Sequence, residues 1–429
     1  MFRMQNYCFL TNTPNKSPFV LTVTGKMAIF ATVNEHNWLM KFKKTILLAG
    51  MLLAAFPQPG GAASAGTRNT WQEQLPREVL TGEQGKFHAQ GIAYDRRNEC
   101  MYVSFTTTLL KLDMQGQLLG SVVGLTGHLG CMALNPDDGR LYASIEYKHD
   151  AIGKGIAKGL GGVENDDEDA FYIAVFDVER ITRPDMDAVE VMKTVYIREA
   201  AEDYAAVVSN QGRQVEHRHG CSGIDGVAIG PRPGRKGGRN VLYVAYGIYG
   251  DQARSDNDYQ VILCYDLRHW KRYEQVLTAH NLHHSGPEHP TAKYFALTGN
   301  TDWGIQNLAY DPSRHALLAA VYMGKKANWP NYSLFAIDLS HKAQRRVLQG
   351  VEPWTEGLVL PLLQDGGQDT ATGVRGWRFA LGSTGLCPLG NGYYYISEPS
   401  RNAQTGRHSA DLRLYRWDGK APFVPVTNR

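Results

Sequence analysis

Four residues carry side chains able to move protons or hold a metal, and each stands just before a recurring apolar phrase: His88, His128, His219 and Asp225. The phrase reads Gly-Ile-Ala-Tyr-Asp at residues 91–95 and Cys-Met-Ala-Leu-Asn at 131–135. It returns as Gly-Val-Ala-Ile-Gly at 226–230 and Asn-Leu-Ala-Tyr-Asp at 307–311. Aligned on Ala93, Ala133, Ala228 and Ala309, the residues three places earlier are Gln90, Gly130, Asp225 and Gln306, and five places earlier stand His88 and His128. Three imidazoles suit a transition metal with an open coordination position, and oxygen ligands suit a harder ion. On that reading His88, His128, His219 and Asp225 are ligands of a divalent ion, calcium or zinc. Two imidazoles with a carboxylate suit proton transfer without any cofactor, because imidazole titrates near neutrality and a carboxylate can orient it. On this second reading His128, His219 and Asp225 are catalytic. In either case Gln90, Gln306 and Asn307 would hold substrate hydroxyls, while Trp303 and Tyr246 would offer flat faces to a sugar ring. The plainer alternative is that each histidine bonds a nearby carbonyl and that Asp225 stabilises a turn.

The elements that must position these groups are short strands. After each phrase comes a turn, then a more apolar run: Met-Tyr-Val-Ser at 101–104, Leu-Tyr-Ala-Ser at 141–144, Leu-Tyr-Val-Ala at 242–245 and residues 316–322. A weaker fifth copy begins at Ser383-Thr384-Gly385-Leu386 and continues as Tyr-Tyr-Tyr-Ile-Ser at 393–397. A third run closing on Asp recurs at 109–113, 171–177, 261–266 and 412–418. Four strands per unit, repeated, predict an all-β protein, a β-propeller of four-stranded antiparallel blades. Five first strands are countable, with six or seven blades left open by strand-like residues 294–297 and 377–381. In the fourth unit the expected strands are 306–310, 316–322, 333–339 and 345–348, and residues 77–80 are expected to lead into the first unit. First strands line a propeller's channel, so residues just ahead of them point into its mouth. Links between second and third strands and between blades share that face, and these links are long here and rich in histidine, including His149, His217, His283, His284, His289 and His408. Insertions gathered on one face mark it as the binding face.

Gly-Ile-Ala-Tyr-Asp together with Leu-Tyr-Val resembles the broad group of NHL, YVTN and gluconolactonase-type (SMP-30-like) secreted propellers. The resemblance runs from about Gly85 onward. It implies metal-binding Glu, Asn and Asp residues at the places of Gln90, Gly130, Asp225 and Gln306, and Asp225-Gly226-Val227-Ala228 matches the group's Asp-Gly-apolar-Ala stretch. Glutamines and a glycine at the other places depart from it, which counts against calcium-dependent lactone hydrolysis.

The 429 residues are 43% hydrophobic and carry a formal charge of +3 from 45 basic and 42 acidic groups. That near balance, with no long basic stripe, argues against nucleic acid as a partner. Residues 40–44 are basic, 46–56 are apolar, and Ala63-Ser64-Ala65 is a peptidase-like site. Residues 40–65 therefore read as a secretory signal and 1–39 as a non-native start or extension, leaving 66–429 as one propeller domain that is secreted or periplasmic, without a stable membrane anchor. Beyond the leader, Cys100, Cys131, Cys221, Cys264 and Cys387 form no disulfide framework, although a Cys131–Cys221 bridge is conceivable. The functional expectation is hydrolysis or elimination on a small polar or carbohydrate-like substrate at the channel mouth. The alternative is a non-catalytic propeller that binds glycan or protein through the same face.

Overall fold

The computed structural model describes residues 70–162, 168–278, 280–299 and 301–427, all within one unit, Asn69–Arg429. The expected leader and signal peptide lie outside the described residues. Five small antiparallel sheets make five blades, each with its first strand innermost. Blade 1 comprises Ala89–Asp95, Cys100–Phe105, Thr108–Asp113 and Leu118–Val123. Blade 2 comprises His128–Leu134, Leu141–Tyr147, Ala170–Phe176 and Met192–Tyr196. Blade 3 comprises Cys221–Gly230, Val241–Ile248, Tyr259–Asp266 and Ala292–Leu297. Blade 4 has Asp302–Asp311, Ala316–Tyr322 and Leu334–Asp338, and blade 5 has Leu386–Gly390, Tyr393–Arg401 and His408–Trp417.

The ring is held by burial on both faces of every blade. Side chains alternate across a strand, so one set from each blade packs on the preceding blade and the other set on the following one. Five apolar clusters result, one per junction. Tyr102 and Leu109 meet Leu141 and Tyr172 between blades 1 and 2; Tyr142 and Phe171 meet Ile224 and Tyr246 between blades 2 and 3. Tyr243 meets Leu317 between blades 3 and 4, Leu318 meets Tyr394 between 4 and 5, and Met101 meets Leu412 between 5 and 1. Five junctions close the circle, so among the described residues no sixth or seventh blade remains.

Three expectations are corrected. Glu78–Leu80 does not lead into blade 1; it pairs antiparallel with Asp411, Leu412 and Arg413 as the outer strand of blade 5, closing the ring. Gln344–Val347 does not complete blade 4. It pairs with Glu356–Val359, which runs parallel to Ala292–Leu297 and so widens blade 3 to six strands. The outer edge of blade 4 is instead made by single bridges from Trp377 to Leu334 and from Leu362 to Ile337. The strand-like stretch around residues 294–297 is the fourth strand of blade 3, so the link holding His283 and His284 lies within that blade. It runs along the edge of blade 2, where Thr194 and Tyr196 donate to the carbonyls of Gln275 and Ser285. Among the described residues every cysteine is free: Cys131 Sγ lies against the Val227 carbonyl and Cys221 Sγ against that of Gly223, so they make no bridge. Among the described residues, no helix is long and apolar enough to cross a membrane.

The channel-mouth face is uneven. Blade 2 sends out the helix Ala151–Gly159, capped by Asp150. The link to blade 3 holds the helix Arg198–Ala205 and the hairpin Val207–Asn210 with Arg213–Glu216. Blade 1 has only Thr106 and Thr107 between its second and third strands.

Candidate functional site at the channel mouth

The inner strand of blade 2 begins at His128, and its neighbour, Leu141–Tyr147, ends beside it, so His128 and Glu146 are directly paired in register. His128 Nδ1 lies 3.4 Å from Glu146 Oε1 and 4.0 Å from Asp225 Oδ1. Lys148, the next residue on the same face as Glu146, places Nζ 2.6 Å from Glu146 Oε1 and 3.6 Å from Asp150 Oδ2. It also donates to the Ser222 carbonyl at 2.7 Å. The second oxygen of Glu146 accepts the Ile224 N–H at 3.0 Å, and Asp225 Oδ2 accepts from Gln306 Nε2 at 3.1 Å. Gln306 also donates to the Trp303 carbonyl. Four titratable groups from blades 2 and 3, positioned by an amide from blade 4, thus meet where three inner strands begin.

Two glycines make the approach feasible. A Cβ on Gly130 would collide with Ser144 Oγ and Asp225 Oδ1, and one on Gly223, at φ +122°, would overlap Glu146 Oε2. Gly130, without chemistry of its own in the sequence, is what lets Asp225 reach His128.

The cluster's electrostatics follow from its burial. Desolvation pushes Asp225 up to about 7; the charge on Glu146 adds to this, while His128 and Lys148 oppose it. Burial works against a charged His128, yet the hydrogen bond to Glu146 and the charge of Asp225 outweigh it and hold the imidazole above its ordinary value. Glu146 is likewise desolvated, but Lys148 and His128 keep it below the usual carboxylate range. The result is a fixed Glu146–Lys148 ion pair beside an imidazole held above its ordinary value and a carboxyl that can change protonation near neutral pH. The positive charge these carboxylates require comes from Lys148, a residue of the chain itself.

The other sequence candidates divide. His88 belongs to the same mouth, near enough to His128 to feel its charge; burial first, then His128 and His408, lower it to about 4. Gln90 donates to Thr106 Oγ1 and lies 3.3 Å from His88 Nε2. Trp303 is 39% exposed and its ring stands edge-on to Tyr249, 5.8 Å between centroids. Asn307 is corrected from substrate contact to structural tie. Its amide donates to the carbonyls of Gln90 and Ser383 at 2.8 Å each, binding blade 4 to blade 1 and to the start of blade 5. Tyr246 is also corrected: it is fully buried on the other face of its strand, donating to Asp203 Oδ2 at 2.9 Å.

His219 leaves the group. His217, His219 and Gly220 all have positive φ, so the chain turns sharply before blade 3 begins. The His219 ring lands edge-on to Phe295 on the fourth strand of blade 3, 5.2 Å between centroids. The ligand set His88, His128, His219 and Asp225 is therefore not assembled, and among the described residues no three His, Cys, Asp or Glu side chains are placed to hold a metal ion. Glu146, Lys148 and Asp150, which accepts from the Tyr249 hydroxyl at 3.0 Å, were missed. Residues 144–150 carried the signal: Ser144, Glu146, Lys148 and Asp150 alternate with Ile145, Tyr147 and His149 at strand period.

No family model matches this chain, and no curated protein matches its sequence. Among solved structures it is similar to the holo form of the pyranose dehydrogenase PQQ domain from Coprinopsis cinerea, with 11% identity over 77% of this chain and 83% of that one, TM-score 0.32. It is also similar to a GH43_1 enzyme from Xanthomonas citri complexed with xylose, with 10% identity over 83% and 95% and a TM-score of 0.34. Likenesses this distant carry nothing about what this chain does.

Proposed function

We propose that the channel mouth is an acid–base catalytic site that cleaves, by hydrolysis or elimination, a small polar or carbohydrate-like substrate. The observation carrying this reading is the convergence of His128, Glu146 and Asp225, with a carboxyl held near neutrality by its surroundings. In this account Asp225 transfers the proton, because a group titrating near the working pH is present in both forms. His128 sets the charge Asp225 feels, Glu146 and Lys148 fix the imidazole, and Gln306 aims the carboxylate. Trp303 and Tyr249 form an aromatic wall at the rim, suited to the apolar face of a sugar ring.

The test is incubation of the purified protein with neutral and uronate-containing oligosaccharides. New reducing ends would report hydrolysis, and ultraviolet absorbance of an unsaturated product would report elimination. Turnover by the wild type that is lost in Asp225→Asn supports the reading; turnover surviving in Asp225→Asn refutes the assignment. A second reading, glycan or protein binding without turnover, is favoured by the exposed apolar rim of Trp303, Tyr322 and Met323. It predicts saturable binding that Asp225→Asn leaves intact.

A further inference from the structure

A second cavity, of about 650 Å³, opens at the outer edge of blade 3. Its walls come from the fourth strand Ala292–Leu297, the added strand Glu356–Val359 and the hairpin that begins at Val207. Phe295, Val208 and Leu358 give it apolar walls, and His219 and Lys293 stand among its polar groups. It uses none of the groups at the channel mouth.

His219 is the informative residue. It is 4% exposed, and its Nδ1 has no hydrogen-bond partner. Its backbone sits at φ +57°. A buried nitrogen without a partner is unfavourable, and so is a non-glycine residue in this backbone region. Two such costs at one position lining a cavity point to a binding role rather than to packing. Burial, reinforced by Lys293, lowers the imidazole to about 4, so at neutral pH it offers one donor and one acceptor.

The charges around the cavity select the ligand class. Lys293 is already neutralised by Glu199 and Asp203, Arg218 by Asp203, and Asp256 by Arg254. Arg345 faces Glu356 at 3.8 Å, and Glu352 adds a further negative charge at the rim. Among the described residues lining the cavity, no cation is left over to draw an anion. Paired charges beside apolar walls and a neutral imidazole instead match a ligand that is uncharged, hydroxylated and apolar on one face.

We infer that this cavity is a second ligand site for a neutral mono- or disaccharide, with His219 bonding a hydroxyl and Phe295 packing beside the ring. This inference stands independently of catalysis at the channel mouth.

The experiment is titration of the full-length protein with glucose, xylose, cellobiose and xylobiose, read by calorimetry and by the ¹⁵N resonances of His219. At least one sugar is expected to bind saturably and shift the His219 resonances. His219→Asn, which tolerates positive φ but shortens the side chain, should weaken binding at least tenfold. Leu358→Trp, which fills the cavity, should abolish it. The inference is overturned if none of the four sugars moves His219. It is equally overturned if a sugar binds but His219→Asn and Leu358→Trp, both folded by circular dichroism, bind as the wild type does.

Discussion

The mouth of the channel has two halves built from the same repeat and doing different things. His88 and His128 occupy equivalent places in neighbouring blades. His88 looks onto Gln90 and, through it, Thr106, neither of which can carry charge, and burial drives the imidazole towards neutrality. His128 looks onto Glu146 and Asp225, and these hold it above its ordinary value against the same burial. On one side the column holds Gln90; on the other, Gly130 leaves room for a carboxylate from the next blade. The lesson is that a shared backbone position fixes where a side chain points, while the second strand of the blade decides what it can do.

Substitutions can break that contrast. The largest expected effect is on turnover. Asp225→Asn should lower kcat/KM on any substrate found by about 10²–10⁴-fold, the usual contribution of a positioned acid–base group, measured by steady-state kinetics. In the wild type the pH–rate profile should inflect near 7, the value set for Asp225.

Next comes stability. Glu146→Gln leaves Lys148 and His128 with less compensation, and breaking a buried pair costs about 3–5 kcal/mol; urea denaturation at pH 7 should show a loss of that order. A loss below about 1 kcal/mol would mean the cluster is far better solvated than its geometry indicates.

The pH dependence of stability sharpens the comparison further. Asp225 titrates near 7 when folded and near 4 when unfolded, so its contribution is full below about pH 4 and fades as pH rises to 7. Thermal melts of wild type and Asp225→Asn should therefore diverge over that interval, with the variant gaining in relative Tm at the upper end. His88, titrating near 4 when folded, works the opposite way: its contribution is present above about 6.5 and fades as pH falls. The smallest effect is that of His88→Gln at pH 7, expected within about 1 kcal/mol of wild type. A His88→Gln variant as damaging as Glu146→Gln would erase the distinction between the halves.

Much of the architecture could be read from the repeat, because inner and second strands are dictated by local apolar patterning. The runs ending at Asp113 and Asp266 are third strands as expected. What failed was non-local. Gln344–Val347 reads as a strand on its own pattern, yet its partner, Glu356–Val359, is claimed by the edge of blade 3. Glu78–Leu80 pairs with a segment over three hundred residues away, which no local pattern encodes.

At the site, Asp225, His128 and Gln306 were legible because alignment of inner strands places them around one axis. Glu146 and Lys148 were not, since they close a second strand and reach the mouth only through its pairing with His128. His219 was misplaced because proximity in sequence to Cys221 says nothing about the left-handed turn between them. Tyr246 was misplaced by one step of the strand alternation.

The pairing of Glu78–Leu80 with Asp411–Arg413 makes this ring a clasp whose two halves lie more than three hundred residues apart in the chain. A ribosome must pass residue 413 before blade 5 gains its outer strand, so until that point an emerging chain carries two open sheet edges. Such edges recruit other strands. Holding the chain unfolded until both halves of the clasp are present would spare it that hazard.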